Sequence, residues 1–68
     1  MDYKIVQHLV TLKGSGTFHK ELNMVSWNKR DPVYDLRGWN EDHTKMTKGI
    51  TLTNDEFNEL VLKIKEEF

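Results

Sequence analysis

The chain has 68 residues, ten Lys or Arg against eleven Asp or Glu, and a formal net charge of −1. That length makes one domain, residues 1–68, in a size range where a single core supplies only a few kcal/mol of stability. With no Cys, disulfides and thiolate metal sites are excluded, and no apolar run nears the roughly 20 residues of a membrane span, so a second copy of the chain is the remaining staple.

The opening MDYKIVQHLV lacks the apolar segment of a secretory leader, and a bacterial cytoplasmic location is expected. From Tyr3 to Lys13 the chain is rich in β-branched residues. Ile5, Leu9 and Thr11 fall on one parity and Val6, His8, Val10 and Leu12 on the other, which predicts a strand covered on both sides over part of its length. Gly14-Ser15-Gly16 signals a turn; beside Lys13 it resembles a small anion nest but lacks the G-K-[ST] ending of a phosphate loop. A second strand from about Phe18 to Lys29 sets Leu22 and Met24 opposite Asn23, Val25, Trp27 and Lys29, and Asp31-Pro32 marks the next turn.

Val33 to Trp39 alternates as a third strand, with Tyr34 and Leu36 on one side and Asp35, Arg37 and Trp39 on the other. After a polar loop from Asn40 to Met46, Gly49 to Leu52 alternates again, and Ile50 and Leu52 join Leu36 on the side expected to be packed. Thr53 and Glu56 then form a capping box, and Phe57, Leu60, Val61, Ile64 and Phe68 make one apolar helical stripe that is expected to cover a face of the sheet, with Leu62 off it. The fold class is α+β, a curved four-stranded antiparallel sheet followed by one C-terminal helix. Strands of roughly 11 or 12 residues would run near 40 Å, whereas a globule of this size has a radius of gyration of about 11 Å. They must bend, or a partner must cover them, and a homodimer is expected.

Charge is unevenly placed. Residues 13–48 hold seven cations and five acids, and residues 54–68 hold two cations and five acids, so the basic excess sits on the sheet and the acidic excess on the helix. Trp27 and Trp39 share their strand faces with Lys29 and Arg37, a pattern in which indoles stack bases while cations neutralise phosphates. Lys20, Lys29, Arg30, Arg37, Lys45 and Lys48 are the candidate phosphate contacts; Phe18 and Asn23 are candidate base contacts. His8, His19 and His43 lie far apart with no i, i+4 pair, His43 reads as a solvated loop residue, and Ser15, Ser26, Glu41 and Asp42 form no catalytic arrangement. No enzyme, cofactor, metal or small-molecule substrate is expected.

Asp35-Leu36-Arg37-x-Trp39, a polar loop, and then Lys48-Gly49-Ile50-Thr51-Leu52-Thr53-x-x-Glu56-Phe57-x-x-Leu60 resemble the C-terminal domain of the transcriptional coactivator family called positive cofactor four. The length and the N-terminal half are similar to its short bacterial YdbC-type members. The resemblance implies a dimeric single-stranded-DNA-binding fold, with the positions of Trp27, Arg37 and Lys48 on or beside the DNA surface. One residue, Gly38, separates Arg37 from Trp39 where the eukaryotic motif often has two. The serine-rich tail of the eukaryotic coactivator has no counterpart, so DNA binding is expected to carry over and coactivation is not.

The expectation is therefore a nucleoid-associated homodimer that binds single-stranded DNA with little sequence preference, serving transcription, replication or repair. Two alternatives stand beside it: single-stranded RNA binding, and a protein-interaction module in which Trp27, Trp39 and Val25 form a dry hot spot.

Overall fold

The computed structural model describes residues 2–14 and 16–68; Ser15, at the centre of the expected turn and anion nest, lies outside the described residues. The chain runs β1 (Tyr3–Thr11), β2 (His19–Trp27), β3 (Val33–Trp39), β4 (Ile50–Leu52) and α1 (Asn54–Glu67), and the strands lie side by side in that order. All neighbours are antiparallel. The four-strand, one-helix order is the one the periodicity predicts. β1 and β2 are shorter than expected, at nine residues each, and β2 ends where Asn28 and Lys29 turn with φ of 51° and 65°.

β1 does not keep one parity. Ile5 pairs with Val25, Gln7 with Met24, His8 with Asn23 and Val10 with Leu22, with register shifts between Ile5 and Gln7 and between His8 and Val10. Each shift bends the strand and turns the next side chains toward a new direction. Tyr3, Ile5, His8 and Thr11 thus come to lie over the face carrying Glu21, Asn23, Val25 and Trp27, and Val10 joins Leu22 on the other. The mixed parity of the sequence resolves into two bulges.

Curvature comes from the same bends. Tyr3 pairs with Trp27 at one end of β2 and Trp39 lies opposite His19 at the other, yet the Tyr3 and Trp39 rings are 5.3 Å apart. Eight residues of flat strand would hold those positions about 27 Å apart. The sheet has therefore curled over its Trp39 face, and the fully buried side chains, Trp39, Val25, Asn23 and Asp35, all project into that hollow.

This reverses the expected roles of the two faces. Tyr34, Leu36, Ile50 and Leu52 do share a side, with Tyr34 opposite Leu52 and Leu36 opposite Ile50, but that convex side is the open one. Ile50 is 57% exposed. α1 begins as predicted, the Thr53 hydroxyl accepting from Glu56 N at 3.1 Å and the Glu56 carboxylate from Thr53 N at 2.9 Å. It leans on the sheet through Phe57, whose ring stacks on Tyr34 at 3.9 Å. Beyond Phe57 and the half-buried Val61 the stripe does not cover the face as expected: Leu60 and Ile64 are 46% exposed and Phe68 is 99% exposed. Between helix and sheet lies an apolar groove of about 230 Å³ bordered by Val10, Leu12, Leu36, Ile50 and Leu60.

Gly49 sets how closely β4 approaches β3. A Cβ there would collide with Arg37 Cβ and the Leu36 carbonyl oxygen. Its lack of a side chain admits a neighbouring strand, whereas the sequence is equally compatible with the approach of a phosphate. Gly49→Ala is expected to destabilise the fold by about 1 to 3 kcal/mol, as overpacking does, while Gly14→Ala, which meets nothing, stays within about 0.5 kcal/mol. Urea unfolding midpoints of the two variants test this; equal midpoints would mean β4 is not held by that contact.

Candidate nucleic-acid interface

The hollow of the sheet is polar at its centre, and the hydrogen bonds there determine one another. An ionised Glu21 only accepts, so Asn23 turns its Nδ2 to Glu21 Oε1 at 3.1 Å and its Oδ1 to His8 Nδ1 at 2.7 Å. His8 must then donate from Nδ1, and its Nε2 lies 2.9 Å from the Thr11 hydroxyl. From the other side His43 Nε2 donates to Glu21, 3.0 Å from either carboxylate oxygen. Burial raises the Glu21 carboxyl, but the hydrogen bonds from His43 and Asn23 and the charges of both imidazoles outweigh it and hold the group below the ordinary Glu value of 4.5.

His43 is thus no solvated loop residue. Its backbone takes a left-handed φ of 59°, its carbonyl accepts from the Tyr3 hydroxyl at 2.7 Å and its ring lies 5.5 Å from that of Trp39. The loop supports this pose internally. Asn40 Oδ1 accepts from Lys45 N, and the Thr44 hydroxyl and N–H bond Asp42 and hold its carboxyl low. Sequence spacing gives no sign that His8 and His43 meet on one carboxylate. The only trace is the odd-numbered run Glu21, Asn23, Val25, Trp27, which sets polar groups on a tryptophan's side.

The candidate contacts separate into three groups. Trp39 and Asn23, expected at the surface, are both 0% exposed, closed over by β1 and the 40–46 loop. Neither side chain reaches the surface of the sheet. Trp27 is half-buried at the rim, with Tyr3 tilted against it at 5.9 Å and the Arg37 guanidinium carbon 4.6 Å from its ring centroid. Arg37 also holds Asp35 through two 2.7 Å hydrogen bonds.

The remaining cations are exposed: Lys29 and Arg30 in the β2–β3 turn, and Lys20, Lys45 and Lys48 toward the opposite end of the sheet. They do not share one side, contrary to expectation. Lys20 lies opposite Gly38 on the parity of Leu22 and Leu36, and Phe18, 37% exposed, borders a hollow with it rather than with Trp27. Among the described residues Arg37 is the one Lys or Arg in an ion pair. Five candidate cations are therefore free of carboxylates.

Because the folded Glu21 value lies below the unfolded one, its stabilising share is complete above about 4.5 and is lost as pH falls through the lower folded value. Melting curves over the acid range should show a steeper loss of Tm in the wild type than in Glu21→Gln. Parallel acid limbs would separate the network from stability.

Residues 17–62 match the family described as Transcriptional Coactivator p15 (PC4). The chain is also 44% identical over 55 residues to an uncharacterized protein of Treponema pallidum (strain Nichols), across 79% of this chain and 65% of that relative. The match therefore spans a little under two thirds of the relative's length.

Proposed function

Because the chain belongs to the transcriptional coactivator p15 (PC4) family, we propose that it binds single-stranded DNA, with little sequence preference, as a small homodimer. The observation that carries this reading is the family match itself, whose span of residues 17–62 encloses every candidate contact from Phe18 to Lys48. The family is one of nucleic-acid binders and not of enzymes. A duplex hides the faces of its bases and a single strand offers them, so an indole at a rim flanked by unpaired cations favours the single strand.

In this reading Trp27 stacks a base, Lys29 and Arg30 hold phosphates at one end of the sheet, and Lys20, Lys45 and Lys48 hold them toward the other. Phe18, beside Lys20, offers a second aromatic contact. Trp39 and Asn23 support the hollow from inside. The rival protein-binding hot spot loses its basis, since Trp39 and Val25 are 0% exposed and make no surface. The bacterial relative supports a bacterial protein, and the bacterial cytoplasm, at the nucleoid, is the proposed location, in transcription, replication or repair.

The homodimer reading is supported by the convex face. Val10, Leu12, Ile50, Leu60 and Ile64 are all at least 44% exposed, large apolar side chains left open in and beside the groove. A second copy seated there would bury the groove and the open helix stripe together. The expected dimer persists at micromolar concentration in sedimentation and is split by Leu60→Asp; a wild-type monomer overturns it.

A dT oligonucleotide should quench tryptophan emission, and duplex DNA of equal length should do so much less. Trp27→Phe, which leaves only the enclosed Trp39, should lose most of the quenching. Lys48→Ala should make the log-log salt dependence shallower by about 0.7, the value of one phosphate contact on a single strand. No quenching and no binding at low salt would remove the reading, and stronger binding of rU than of dT would move it to RNA.

A further inference from the structure

Arg37 has the charge of a phosphate contact, but its surroundings differ from those of the other candidate cations. Its side chain is 14% exposed, and that of Asp35, its partner, is 0% exposed. Nε donates to Asp35 Oδ1 and Nη2 to Asp35 Oδ2, each at 2.7 Å, and Nη1 lies 3.5 Å from Met46 Sδ. Each of the three guanidinium nitrogens therefore already has a protein acceptor. The carboxylate cancels the charge a phosphate would seek. Three of its five N–H donors are thus engaged, and the group lies over the Trp27 ring, 4.6 Å from Cζ to the ring centroid.

Resting on the single-stranded-DNA reading, we infer that Arg37 is a plate beneath Trp27 rather than a phosphate contact, and that Asp35 is the positioning residue that fixes the plate. Asp35 holds the guanidinium in plane through both oxygens, and the guanidinium backs one face of the indole. Tyr3 tilts against the same ring. An indole held this way has lost its rotamer freedom before a base arrives, so stacking on its outer side costs less ordering. The planar, forked donor set is needed for both contacts, and a lysine ammonium offers neither.

Arg37→Lys tests the assignment, because it keeps the charge and removes the plate. A dT oligonucleotide titrated at several salt concentrations should give a Kd raised about tenfold, the scale of one weakened base–indole stack, with the salt slope unchanged. In the free protein, acrylamide should reach the Trp27 emission more readily in the variant. Placed in a Trp27→Phe background, Arg37→Lys should have no further effect on affinity, since its action runs through that ring.

An Arg37→Lys chain that binds as the wild type does, or one whose effect persists undiminished without Trp27, overturns the inference. So does a salt slope shallower by about 0.7 in Arg37→Gln, which would mark a lost phosphate contact. A wild type that fails to bind dT removes the parent reading and this inference with it. Wild-type-like behaviour of Arg37→Lys alone removes only the inference.

Discussion

A curved four-stranded sheet has two faces to cover, and the described residues form one 14-residue helix with which to cover them. That shortage of apolar material governs the rest of the structure. The sheet closes one face by curling on itself, with β1 bent twice so that Tyr3 reaches Trp39. The helix meets the other face mainly at its first turns, where Phe57 stacks on Tyr34. What the helix leaves open is the surface on which the proposed dimer depends, in line with the general need of very small domains for a second source of burial.

Closing the hollow brings polar groups indoors, and most are satisfied there. Glu21, Asn23, His8 and His43 form a directed chain of hydrogen bonds, and Asp35 is matched by the Arg37 fork. Networks of this kind constrain geometry more than they add stability, because each donor fits only one orientation of its neighbour. The exceptions are the indole nitrogens. Nε1 of Trp27 and of Trp39 are buried with no partner among the described residues, each at a cost of about 1 to 3 kcal/mol.

Local signals in the sequence carry the local structure. The Thr53–Glu56 box locates the helix, and alternation places Tyr34 and Leu36 across from Leu52 and Ile50. Parity tells which side chains share a face, but it does not tell which face a sheet will curl around. For that reason alternation sets Arg37 and Trp39 correctly on one side and wrongly in solvent. The bulges in β1 lie outside the same logic, since a period of two cannot register an extra residue. His43 meeting Glu21 is a contact across 22 residues through a loop in a left-handed turn, and no spacing rule encodes it. The cations are legible as residues but not as a surface, because their grouping depends on strand ends and turns.

The two register shifts in β1 bear on how copies of this chain meet. β1 and β4 are the outer strands, and an outer strand's free N–H and C=O groups invite another strand to add on. β4 is three residues long and β1 is broken twice in register, so neither offers a regular template for edge-to-edge growth. The apolar convex face carries no such obstacle. For the proposed homodimer this leaves the apolar convex face, rather than a sheet edge, as the surface for a second copy, and the bends that let Tyr3 cap Trp39 also interrupt the β1 edge as a template for strand addition.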